Sequence, residues 1–209
     1  MRDTWIEITD VDQLEAVVGR PHQRVIDKVR TALTPADRDW LAATPFCTVA
    51  TADADGHLDV SPKGDPAGSL IHVLDDTTIA LAERPGNRRV DGYRNILTNP
   101  RVGLICLIPG RGDTLRINGR ARLVSEAPFL DDMAVDGKRP LLALVVEIEE
   151  IFFHCAKAFL RSGLWKPETW DPTVLPRRAA LAKEVEHDPR PLAELDDYYA
   201  TGTYDAHLY

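Results

Sequence analysis

The chain has 209 residues, 44 % of them apolar and 28 % charged, with a formal net charge of −8. Those values fit a single globular domain with an ordinary core, and they argue against general nucleic-acid affinity, which needs clustered Lys and Arg on phosphate. The longest apolar run, Pro140 to Ile148, falls far short of the roughly 18 residues a spanning helix needs, and the N-terminus has acids where a signal peptide would be basic, so an unprocessed, cytoplasmic chain is expected.

In chain order, residues 10–44 read as helices: Asp10 can cap a run ending at Gly19, and Thr34-Pro35 sets an N-cap before a first-turn proline ahead of Asp37 to Ala43. At Phe46 the period changes to two. Phe46 to Thr51 and His57 to Ser61 form a hairpin around the turn Asp53 to Gly56, followed by an irregular stretch from Pro62 to Gly68. Strands follow at Ser69 to Leu74 and Thr77 to Leu81. Asn87 is placed to cap a helix from about Arg88 to Leu97, with Val90, Tyr93, Ile96 and Leu97 at helical spacing. Strands return at Val102 to Ile108 and Thr114 to Val124; a short helix lies near Pro128 to Met133, and a last long strand runs Leu141 to Phe153. From Cys155 the pattern is a helix, the Trp- and Pro-rich loop Leu164 to Pro176, and one or two terminal helices. The fold class expected is mainly β (α+β), an antiparallel barrel of six or seven strands with N-terminal helices (1–45), a core (46–155) and C-terminal helices (156–209) in a single domain.

The charge is uneven. Between Arg84 and Arg122 nine arginines face only Asp91 and Asp113, whereas Glu184 to Tyr209 holds seven acids and only Arg190 as a base. A basic middle in an acidic protein points to one compact anionic ligand, although most of these arginines also fit solvated faces. Gly86-Asn87-Arg88-Arg89 would add two guanidiniums to the free N–H groups of a helix start, a cradle for phosphate; the competing reading pairs them with acids such as Glu83 or Asp91. Val60-Ser61-Pro62-Lys63-Gly64-Asp65 reads either as a pocket wall or as a plain loop. Lys157 and Arg161 lie one helical turn apart. The three cysteines (Cys47, Cys106, Cys155) read as buried hydrophobes, and the six scattered histidines give no metal set and no catalytic triad. No Gly-x-Gly-x-x-Gly fingerprint occurs.

Four motifs carry a resemblance: Ser61 to Asp65 (Ser-Pro-Lys-Gly-Asp), Arg84 to Arg89 (Arg-Pro-Gly-Asn-Arg-Arg), Leu107 to Ala121 (Leu-Ile-Pro-Gly followed by Thr-Leu-Arg-Ile-Asn-Gly-Arg-Ala), and His154 to Trp165. In that order, over roughly residues 10–170, the sequence resembles a bacterial branch of the FMN-binding split-barrel flavoproteins, the pyridoxamine 5'-phosphate oxidase-like superfamily. The resemblance implies a split barrel that forms a homodimer with FMN at the subunit interface and works as an oxidoreductase on a small molecule. It implies that Lys63, Arg88 and Arg89, with Asn87 at the same turn, hold the flavin phosphate. Val60, Ser61 and Pro62 would run beside the ring, and Lys157, Arg161, Ser162 and Trp165 would complete the pocket from the partner subunit. No protein acid or base is assigned. The Arg-x-Val-Leu-Leu-Lys strand and the Arg-Leu ending of true pyridoxamine phosphate oxidases are absent, which speaks against oxidation of a B6 vitamer. Deazaflavin F420 is the alternative cofactor, and a non-catalytic flavin or haem binder with His72 or His154 as axial ligand is a further one.

Overall fold

The computed structural model describes residues 4–200 and 202–203; Asp205 of the acidic tail lies outside the described residues. Three helices precede the sheet: α1 (Val11–Val18), α2 (Gln23–Asp27) and α3 (Pro35–Ala43). The first and third start as expected. Asp10 accepts from the Gln13 amide, and Thr34 with Asp37 forms a reciprocal capping box behind Pro35. Asp37 is fully buried and takes a bidentate ion pair from Arg30, whose backbone pairs with Ile151. That pairing ties the helical segment to the last strand.

Seven strands form one sheet in the order β2-β1-β5-β6-β7-β4-β3, every pairing antiparallel. They are β1 (Phe46–Ala52), β2 (Leu58–Gly64), β3 (Ile71–Val73), β4 (Thr78–Glu83), β5 (Arg101–Leu107), β6 (Thr114–Val124) and β7 (Leu142–His154). Between them lie α4 (Asp91–Thr98) and α5 (Phe129–Asp132), and after them α6 (Lys157–Ser162), α7 (Arg178–Glu184) and α8 (Leu192–Tyr199). Alternate residues Cys47, Val49, Val102, Leu104, Cys106, Leu115 and Ile117 fill the inside of the curled sheet, as a period of two dictates. β4 is buried on both faces, because Ala80 and Ala82 meet Leu130 and Met133 around α5 on its outer side. This is the split barrel expected, with a bulge at Asn118/Gly119. A Cβ on Gly119 would lie 2.0 Å from the Glu147 carbonyl oxygen, so only glycine permits that approach. α7 and α8 make a small core of their own from Ala179, Ala182 and Leu195.

Two sequence expectations need correction. β2 does not stop at Ser61 but continues through Pro62 and Lys63 to Gly64. It is the sheet edge, paired only with β1, so the missing N–H of Pro62 costs no ladder bond. The helix expected from Arg88 begins only at Asp91, capped by Val90 without any side-chain bond. Asn87 accepts instead from the Arg89 amide two residues on, an Asx turn, and Arg88 sits at φ 63°. Arg88 and Arg89 therefore belong to the turn before the helix.

Candidate functional site

A small cleft opens between β2 and α4, lined by Thr51, Asp59, Ser61, Lys63, Glu83, Arg89, Val90, Gly92 and Tyr93, among others. It follows from pleat and curl. On edge strand β2 the residues Asp59, Ser61 and Lys63 share the inner face, while Val60 and Pro62 are exposed on the other. β2 and β4 stand at the first and sixth places in the sheet, yet Lys63 Nζ lies 2.7 Å from Glu83 Oε2. Only a sheet curled on itself brings those strands together.

At the inner end, Glu83 also accepts a short hydrogen bond from the Tyr93 hydroxyl, and the Lys63 ammonium sits 4.7 Å from the Tyr93 ring centre. Burial, and then the Glu83 carboxylate, push the Tyr93 hydroxyl well above its usual range, so it stays a donor. Behind Lys63, burial pushes the Cys47 thiol up to about 12 and keeps it protonated, only partly offset by the nearby ammonium. Arg84 closes the adjoining corner. Its Nε is 2.8 Å from Asp65 Oδ2, and its guanidinium donates to the Met133 carbonyl oxygen, which fixes the end of β4 to the loop after β2.

At the mouth, Arg89 pairs with Asp91 at 2.5 Å, with its side chain 79 % exposed. This is one of the acid partners anticipated for the arginine pair. The side chain of Arg88 makes no hydrogen bond or ion pair among the described residues, and it is exposed. Arg94 lies nearby, lining a shallow groove with His57, Asp59, Arg89 and Asp91 that continues the cleft outward.

The structure thus brings together Ser61, Lys63 and Arg89, with Asn87 and Arg88 on the adjoining turn, whereas Val60 and Pro62 do not line the cleft. It does not bring α6 to them within one chain. Lys157 and Arg161 are exposed on α6 one turn apart. Ser162 donates to the Phe159 carbonyl oxygen, and Trp165 stacks on Phe159 and donates to the Arg111 carbonyl oxygen at 2.6 Å. Cys47 and Cys106 are buried as expected, but Cys155, at the junction of β7 and α6, is exposed, which corrects that expectation. His72 stacks on Phe129, and His154 lies beside Arg116 and Lys28, where burial and then those cations lower its pKa; neither lines the cleft. Among the described residues no helix is long and apolar enough to cross a membrane.

Sequence reasoning missed Glu83 and Tyr93 as site residues, because their contact with Lys63 depends on barrel closure. It also missed Asp59, although its place two residues before Ser61 and four before Lys63 puts it on the same strand face.

The family model described as pyridoxamine 5'-phosphate oxidase matches residues 33–155, which contain the whole sheet and the cleft. Among solved structures, HupZ from Group A Streptococcus is similar, with a TM-score of 0.47 and 21 % identity over 58 % of this chain and 93 % of that one. An FMN-binding protein from Syntrophomonas wolfei gives 0.44 and 18 % over 67 % of this chain and 95 % of that one. An FAD-binding protein from Mesorhizobium loti gives 0.40 and 19 % over 60 % of this chain and 96 % of that one. A search of curated proteins finds no match.

Proposed function

The chain belongs to the pyridoxamine 5'-phosphate oxidase family, and from that premise we propose that it is an FMN-dependent oxidoreductase carrying the flavin in the cleft between β2 and α4. The observation that carries this reading is the pair of cations lining one cleft, Lys63 at its inner end and Arg89 in its wall, with Arg88 exposed on the adjoining turn and without a protein partner among the described residues. A phosphate monoester, with about −1.5 to −2 charge at neutral pH, suits such a cradle, since each guanidinium offers paired donors and Lys63 has N–H donors beyond the one given to Glu83. Asn87 supports the site indirectly, because its bond to the Arg89 amide holds the turn that presents both arginines.

Bound FMN would supply the redox chemistry; the chain's own groups would anchor the phosphate, orient the ring along the backbone of Val60, Ser61 and Pro62, and exclude water. The working unit in this reading is a homodimer, in which Lys157, Arg161, Ser162 and Trp165 of α6 and its following loop cover the cleft of the partner subunit. Exposed Leu58 and Val60 on β2, Phe46 on β1 and Ile105 on β5 give the sheet an apolar outer surface suited to that pairing. The acceptor would be a small molecule other than a B6 vitamer.

The visible spectrum of protein purified without added cofactor tests the proposal, together with the mass of any released chromophore and the molar mass in solution. A yellow dimer releasing FMN is expected. A colourless protein that ignores FMN but binds deazaflavin F420 would move the reading to that cofactor, and a Soret band on haem addition would move it to haem binding.

A further inference from the structure

The inner face of β2 presents a carboxylate, a hydroxyl and an ammonium in a row, Asp59, Ser61 and Lys63, spaced roughly 7 Å apart along the strand. Two of the three have an evident place. Lys63 is engaged by Glu83 and Tyr93, and Ser61 flanks it. Asp59 has none so clear: the residue is half-buried and feels the charge of Arg89, yet it makes no hydrogen bond among the described residues. Two cations line the same cleft and neither donates a hydrogen bond to it. Lys63 is taken by Glu83, and Arg89 by Asp91. The protein also leaves the carboxylate uncovered. A Cβ on Gly92 would lie 3.0 Å from Asp59 Oδ2 and 3.3 Å from Thr51 Oγ1, so any larger residue there would crowd the oxygen and take its open space.

A half-buried carboxylate to which the protein gives no hydrogen-bond donor is open to one carried by a ligand. Its neighbours define which donor fits. Arg89 beside it and Arg88 on the adjoining turn suit an anion, so the group that reaches Asp59 belongs to a molecule carrying neutral hydroxyls next to a phosphate. We propose that Asp59 is a specificity-determining residue that accepts hydrogen bonds from the hydroxyls of a phosphorylated polyol, which in FMN is the ribityl chain between phosphate and ring. This rests on the reading of the cleft as the flavin site, and it assigns to Asp59 a task separate from the phosphate cradle.

Three flavins separate the parts: FMN has polyol and phosphate, riboflavin has the polyol alone, and lumiflavin has neither. Their dissociation constants would be measured by fluorescence quenching on wild-type protein, Asp59→Ala and Asp59→Asn, with thermal melts confirming that each variant folds. Asp59→Ala should weaken riboflavin by about tenfold, the worth of one good hydrogen bond to a charged acceptor, and leave lumiflavin unchanged. Asp59→Asn, which keeps an acceptor oxygen, should recover part of the loss. Riboflavin is the decisive ligand because it is uncharged, so removing a negative charge from the cleft cannot mask the loss through its effect on phosphate. Unchanged riboflavin affinity in Asp59→Ala would overturn the inference, as would an equal loss for lumiflavin, while FMN binding would still stand. If none of the three flavins binds the wild-type protein, the flavin reading itself fails and takes this assignment with it.

Discussion

The two ends of the cleft solve opposite problems. At the inner end Lys63 and Glu83 are each less than a fifth exposed, share a hydrogen-bonded ion pair and are clamped by Tyr93. At the mouth Arg89 holds Asp91 in an exposed pair, and Arg88 on the adjoining turn has no partner among the described residues. Burial makes the inner cation expensive to leave alone, so the protein supplies its counter-charge; exposure makes the outer cations cheap, so one can be left for a ligand. The inner end should therefore report mainly on folding and the mouth mainly on binding.

The largest effect should come from Glu83→Ala. It strands the Lys63 ammonium against the Tyr93 ring and removes the acceptor of the Tyr93 hydroxyl. Losing one member of a buried pair costs about 3–5 kcal/mol, and the residual exposure of this one lowers the expectation to about 2–3 kcal/mol. Urea unfolding at neutral pH measures it. A loss comparable with that of a surface substitution would show that the inner pair is no more than a solvated contact.

Next in size is Arg88→Ala, expected to weaken FMN by about 5- to 150-fold, or ~1–3 kcal/mol for one charge-assisted contact, with the melting temperature unmoved. Riboflavin, lacking phosphate, should bind the variant as it binds the parent. Wild-type FMN affinity would remove Arg88 from the phosphate site. Tyr93→Phe should follow, at about 1 kcal/mol of stability, since Glu83 loses one donor but keeps Lys63. A larger loss would mean that the hydroxyl, and not the ammonium, anchors the inner end.

The contrast between the two ends also shows what a sequence makes legible. Strict alternation exposed the strands: β6 runs from Thr114 to Val124 as read, and the β1–β2 hairpin turns where Asp53 to Gly56 said it would. Each such element depends on its own residues and their period. The errors arise where position in the sheet decides. Pro62 looks like a strand breaker until β2 is known to be the edge, and Asn87 looks like a helix cap until its side chain is seen to take the Arg89 amide two residues on. The ion pair of Lys63 and Glu83 is illegible for a stronger reason, because it exists only when strands at the first and sixth places are curled into contact. The basic stretch from Arg84 to Arg89 announced a ligand, yet sequence alone could not distinguish Arg84, which braces Asp65, from Arg88, which braces nothing among the described residues.

Arg89 divides the two regions and gives the smallest expected effect. Its guanidinium lines the cleft but already donates to Asp91, so a phosphate must either share it or draw it away. Removing it takes away a cation and releases Asp91 as an unpaired carboxylate nearby. Because the pair is exposed, water and salt screen both changes, and Arg89→Ala should weaken FMN by only about two- to fivefold. The double variant Arg89→Ala/Asp91→Ala decides how that loss arises. If Arg89 touches the phosphate directly, the double variant stays as weak as the single one. If the loss comes from the freed Asp91, the double variant returns to wild-type affinity, and Arg88 with Lys63 is left as the phosphate cradle.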